Sequence, residues 1–145
     1  TMAAALEGCL YGVDSVGFSL NDFSRDADFS VCRKYIRQVM LKLAEEPLPK
    51  GICLNVNIPS LPESQIKGLM VCRQSKGNWR EEFEKRKDPM GKTYYWLTGM
   101  FQNLEPESVD TDEWALANGY VSVVPVTVDM TAHWYLGSLK DRFSR

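Results

Sequence analysis

Apolar residues recur along this chain in two rhythms, and the rhythms predict an alternation of helices and strands. Residues 2–10 are small helix formers that stop ahead of Gly12, a usual position for a helix-ending glycine. Residues 14–20 (DSVGFSL) are short, apolar and partly β-branched, which predicts a strand. Residues 21–28 are polar and turn-like, with Ser24, Asp26 and Asp28 all able to cap the next helix. From 29 to 43 the apolar residues fall three and four apart, at Phe29, Cys32, Ile36, Val39, Met40 and Leu43. That spacing is one stripe of a surface helix, and Arg33, Lys34, Arg37 and Lys42 lie off it as a solvated face.

Pro47 and Pro49 end the helix, and residues 52–58 (ICLNVNI) alternate Ile52, Leu54, Val56 and Ile58 against Cys53, Asn55 and Asn57 as the next strand. Strands alternating with helices in this way imply parallel strands covered by helices. Beyond Pro62 the rhythm changes. Residues 68–73 and 93–97 read as strands, separated by about twenty mostly polar residues and the turn Asp88-Pro89-Met90-Gly91. The region from about 66 to 100 is expected to be a long hairpin arm. Trp79, Phe83, Tyr94, Tyr95 and Trp96 give it more aromatic surface than one hairpin buries alone. Those rings pack either on their own domain or against another subunit. Residues 110–118 predict a short helix with Asp110 and Glu113 at capping-box spacing and Gly119 ending it. Residues 120–126 predict a strand whose end Pro125 confines to an edge or a bend. Residues 131–143, within a tail spanning 129–145, predict a closing helix with Trp134, Tyr135, Leu139 and Phe143 as anchors.

The 145 residues are one domain's worth, 44% hydrophobic and 25% charged, with a net charge of −2. That balance gives no basic field for a nucleic acid polymer and no polybasic patch for a membrane, and no apolar run approaches a bilayer span. Cys9, Cys32, Cys53 and Cys72 form no C-x-x-C pair and have one histidine to join them, which argues against zinc. They read as buried or half-buried thiols in a reducing cytoplasm.

Candidate chemistry is sparse. His133 has Asp129 four residues before it, a spacing that pairs them on a helix, but no G-x-S-x-G elbow supplies a nucleophile. Asp110 and Asp112 sit at a helix start and read as caps. Asn55 and Asn57 share one strand face; they either reach a site at the strand's end or satisfy neighbouring backbone. The opening segment TMAAALEG is the informative one. A hydroxyl stands before a small-residue helix, and helix starts collect anions through unpaired N–H groups and the dipole. The expectation is a phosphate site cut through at Thr1, sharing its chemistry with residues upstream.

Four stretches resemble one family, the SurE (stationary-phase survival protein) nucleotidases. TMAAALEG resembles the family's small-residue helix after Ser-Gly-Thr. Leu54-Asn55-Val56-Asn57-Ile58-Pro59 resembles its LNVN-x-P strand. Asp88-Pro89-Met90-Gly91 with Tyr94-Tyr95-Trp96 resembles its D-P-x-G…YYW turn. Residues 112–129, with Gly119-Tyr120-Val121-Ser122 and Pro125, resemble its closing segment. The resemblance implies that residues 1–145 are the later portion of a Rossmann-like, mostly parallel α/β domain carrying an oligomerisation hairpin. It implies a metal-dependent phosphatase that hydrolyses nucleoside monophosphates, as a homodimer or homotetramer. Its ion, Mg²⁺ or Mn²⁺, would be held upstream, leaving no catalytic or metal-binding residue in this segment and Thr1 as the phosphate contact. The arm rings Trp79, Phe83, Tyr94, Tyr95 and Trp96, with Trp134 of the tail, would make the subunit contacts. Met90 stands where the family has Arg and Val124 where it has Thr. A reading from a different class is a non-catalytic oligomerisation or binding module whose working surfaces are the arm and the tail.

Overall fold

The structure, a computed structural model, describes residues 1–144, with Glu81 and Glu82 described in their backbone only. It is an α/β fold built on a four-stranded sheet. Helix α1 (Met2–Leu10) leads into β1 (Val16–Asn21), α2 (Cys32–Glu45) and β2 (Ile52–Pro59). β3 (Leu69–Val71), the ribbon β4 (Gly77–Lys87) and β5 (Thr93–Asn103), α3 (Asp112–Ala117), β6 (Val121–Thr127) and α4 (Leu136–Phe143) complete the chain. The sheet order is β1-β2-β6-β3. β1 runs parallel to β2, from Val16 opposite Leu54 to Asn21 opposite Pro59. β3 runs parallel to β6, and the central β2–β6 pair is antiparallel. Two pairings of three are therefore parallel, and α2 is the crossover that joins the first pair.

The core lies between the sheet and α2. Val56, Ile58 and Val121 are fully buried there with Cys32, Tyr35 and Val39 of the helix. The helix starts three residues later than its apolar spacing suggests. Asp28 uses its carboxylate on Ser30, accepting from that residue's N–H and hydroxyl, and so closes a local turn instead of capping the helix. Phe29 is left outside the helix and Met40 on its rim, both exposed, and Tyr35 takes the buried place between Cys32 and Val39.

β6 lies inside the sheet order, but at Pro125 it is paired on one side only, so the strand's end is locally an edge as expected. Opposite it, Leu54 sends its N–H to Ser15 on the other side, so this pair exchanges no hydrogen bond. On β6's second side β3 has already ended at the Val71–Val123 pair. The missing N–H therefore leaves no neighbour short of a donor.

α3 is capped by Thr111, not by the Asp110–Glu113 box. The buried Thr111 hydroxyl accepts from the Trp114 N–H at 3.2 Å and donates to the Ser108 carbonyl at 2.9 Å. Asp110 is taken by Arg73. The helix ends at Gly119, whose φ of +79° is the left-handed conformation glycine adopts freely.

The arm is residues 77–103, not 66–100. Leu69–Val71 belongs to the main sheet, because its apolar residues match β6, and the polar run that reads as a connection is itself the first arm strand. Gly77 pairs with Asn103 and Lys87 with Thr93. At the tip, the Asp88 carboxylate accepts from the Met90 and Lys92 N–H groups. At the root, the Arg73 guanidinium bonds both Glu105 and Asp110. Glu105 also accepts from the Lys76 N–H, and Asp112 from the Ser75 N–H.

In the tail, a 3₁₀ turn (His133–Tyr135) precedes α4, so the helix begins at Leu136 and not 131. Asp129 accepts from the Thr131 N–H and meets His133 across a tight loop, and this local bonding displaces the first helical turn. The four expected anchors are not buried: Trp134 is 87% and Phe143 80% exposed. Arg145, the end of the expected tail, lies outside the described residues.

Candidate functional site

The start of α1 lies against β1 at Gly17 and Ser19, short of the carboxyl-terminal strand ends where parallel sheets with helical crossovers collect ligands. Gly17 permits the approach: a Cβ there would come 2.6 Å from the Met2 sulfur and 3.6 Å from the Thr1 carbonyl. Thr1 is the N-cap of α1, yet its side chain does not cap the helix. Its Oγ1 lies 3.4 Å from Ser19 Oγ on β1. The first-turn N–H groups of α1 thus remain open for an acceptor.

Strand register continues this polar corner across the sheet. Ser19 is opposite Asn57, and Asn57 is opposite Ser122. Alternation puts all three on the sheet face away from the α2 core. Ser19 and Asn57 are half-buried. Asn57 donates from Nδ2 to Asn55 Oδ1 at 3.3 Å, so the two asparagines of the LNVN strand bond each other and not the backbone. Ser122 is fully buried and its Oγ has no hydrogen-bond partner among the described residues. A buried unpaired hydroxyl costs about 1–3 kcal/mol.

Thr1, Asn55 and Asn57 stand out in the sequence as candidate chemistry, and Ser122 only as a residue of the closing motif. Ser19 is marked by no more than a hydroxyl inside an otherwise apolar strand, and it takes the register to line them up.

A second concavity opens at the carboxyl-terminal strand ends on the α2 side. Its volume is about 550 Å³, lined by Asp22, Asp28 and Glu63 with Ser30 and Ser60 and no basic side chain. The Asp22 and Asp28 carboxyls are held below their usual range, chiefly by the backbone N–H groups of Ser24 and Ser30. Glu63 is paired with Lys34 at 2.8 Å, which leaves Asp22 and Asp28 as the cleft's net negative charge.

His133 Nε2 lies 2.6 Å from Asp129 Oδ2, and both side chains are more than half exposed. No serine bonds to the imidazole among the described residues, so this pair is not part of a triad. The Asp129 carboxyl is held well below the usual range, first by Thr131 and then by His133. A depressed carboxylate contributes to tail order above its ordinary value of 3.8 and loses that contribution as pH falls through its folded value. In His133→Ala, NMR titration should find the Asp129 pKa raised but still below 3.8, because the Thr131 bonds persist.

The arm has two unlike faces. Directly paired residues share a face, so Trp79, Phe83, Tyr95, Leu97 and Phe101 lie together on a mostly apolar one, with Lys85 and Lys87 toward its tip. Tyr94 and Trp96 lie on the other, among Arg80, Glu84 and Arg86, with Arg86 5.5 Å from the Trp96 ring centre. Trp79 and Phe101 meet edge to face at 5.9 Å. Trp79, Phe83, Tyr95 and Trp96 are each more than half exposed, so the domain does not bury these rings. Among the described residues no group of three His, Cys, Asp or Glu side chains could hold a metal ion, and no helix is long and apolar enough to cross a membrane.

The family model described as survival protein SurE matches residues 1–81. Curated relatives named 5′-nucleotidase SurE include one from Flavobacterium psychrophilum, 49% identical over 97% of this chain and 54% of its own length. Another, from Christiangramia forsetii, is 52% identical over 96% of this chain and 53% of its own length. The crystal structure of the SurE protein from Aquifex aeolicus superposes with a TM-score of 0.76 at 35% identity, covering 98% of this chain and 56% of that one. The chain thus spans about half the length of the curated relatives it matches.

Proposed function

Because the chain belongs to the SurE survival-protein family, we propose that it forms the later portion of a metal-dependent phosphatase that hydrolyses nucleoside monophosphates to nucleoside and phosphate. The observation that carries this reading is the corner at Thr1. A helix N-terminus with no side-chain cap, the Thr1 hydroxyl 3.4 Å from Ser19 Oγ, and half-buried polar side chains meet on two parallel strands. All of them fall inside the matched residues 1–81.

The work of this chain is to bind and orient. The α1 N–H groups and the Thr1 hydroxyl take phosphoryl oxygens, aided by the positive end of the helix dipole. The reading calls for a divalent ion, Mg²⁺ or Mn²⁺, but the described side chains do not fit one. On this reading its ligands fall in the stretch of the relatives' length that this chain does not span. The apolar arm face suits a homodimer or homotetramer, with Trp134 of the tail as a further contact. Four free buried thiols suit the cytoplasm.

The test is hydrolysis of nucleoside monophosphates by the full-length protein. Activity should vanish with a chelator and return with Mg²⁺ or Mn²⁺. Activity indifferent to chelation, or none on any phosphomonoester, overturns the reading and leaves the assembly module in its place.

A further inference from the structure

We propose that Asn57 contacts the substrate phosphate directly and that Ser122 is the residue that positions it; the inference rests on the nucleotidase reading of the same corner. Ser122 is 0% exposed, and its register neighbours are Asn57 on one side and Met70 on the other. A thioether is a poor acceptor, so the only strong side-chain acceptor in the row is the Asn57 amide oxygen. With Asn57 turned toward Asn55, that oxygen is not used by Ser122.

The order of the row fixes what happens when an anion arrives. Asn57 stands between Ser122 and Ser19, and Ser19 touches Thr1. When the Asn57 amide oxygen accepts from Ser122, its NH₂ faces the Ser19–Thr1 side, where the α1 N-terminus would hold the phosphate. One rotation of the carboxamide satisfies the buried hydroxyl and presents two N–H donors to phosphoryl oxygens. Without an anion the bond to Asn55 competes; with one, the charge-assisted bond prevails. Asn57 is thus a binding residue and Ser122 acts through it.

The experiment uses the full-length protein, with inorganic phosphate as the probe in calorimetry and steady-state kinetics on a nucleoside monophosphate. Asn57→Ala should weaken phosphate binding and raise KM roughly tenfold or more, the scale of a hydrogen bond to a charged group. Asn57→Asp, nearly the same shape, should weaken binding further by repelling the anion, and its retained melting temperature excludes misfolding as the cause. Ser122→Ala should raise KM several-fold with kcat little changed and no fall in melting temperature, because the lost hydroxyl was unpaired. A merely structural Ser122 would move the melting temperature and leave KM alone. Normal phosphate affinity and KM in Asn57→Ala and Ser122→Ala, with hydrolysis intact, overturn this inference only. A wild-type protein that neither hydrolyses phosphomonoesters nor binds phosphate overturns the nucleotidase reading with it.

Discussion

Replacement of residues 77–103 by an Asn-Gly link is expected to leave the main sheet folded and to lower the oligomer to a smaller species. The root of the arm makes the splice feasible, since the Leu104 N–H donates to the Lys76 carbonyl at 2.9 Å and the two ends already lie side by side. No described arm side chain is buried, so its loss opens no core. What is lost is the face formed by Trp79, Phe83, Tyr95, Leu97 and Phe101. A two-stranded ribbon is marginal alone, and an apolar face of that size on a projecting element calls for a partner. Sedimentation velocity checks the oligomer, and circular dichroism checks that helix and strand signals persist. A paired test is finer. Phe83→Ser should dissociate subunits, whereas Trp96→Ser, on the charged face, should do so less. An oligomer untouched by the splice would remove the arm from the assembly altogether.

The second large effect is on stability. Ile58→Ala should cost about 2–5 kcal/mol, the range for truncating a large aliphatic side chain in a packed core. Ile58 is 0% exposed and sits in the cluster with Leu20, Tyr35, Val56 and Val121. Its strand is the one flanked by both β1 and β6, so the void cannot be closed by an edge strand moving in. Against a total of about 5–15 kcal/mol, the loss is a large share. Urea unfolding followed by tryptophan fluorescence should show a lower midpoint with little change in slope. Met40→Ala is the control. Met40 is 49% exposed on the rim of α2, and its truncation should stay within about 0.5 kcal/mol.

Where a segment's own pattern carried the information, it was readable in advance. α2 buries one face, and burial imposes a period that its residues display, whereas β6 buries Val121 to Val124 on both faces and reads as a short apolar run. The arm strand β4 buries no described side chain, so its run of charges imitates a connection; only Trp79 and Phe83, four apart and on one face, hinted otherwise. The cap of α3 was misplaced by one residue because Asp110 and Thr111 both qualify locally. Arg73, thirty-seven residues away from Asp110, decides between them. The insertion of β6 antiparallel between β2 and β3 depends on neighbours that no local rhythm specifies. The same holds for the corner at Thr1. A hydroxyl before a helix marks one end of it, but Ser19, Asn57 and Ser122 share a line only through register.

The four cysteines are free and buried, and burial pushes the thiols of Cys32, Cys53 and Cys72 above their ordinary values. The thiolate is the form that attacks a thiol reagent, so these positions react slowly in the native protein. One cysteine introduced at the exposed arm tip, at Met90, would outpace all four. A fluorophore placed there would report on the arm's surroundings without first stripping the native sulfurs from the core.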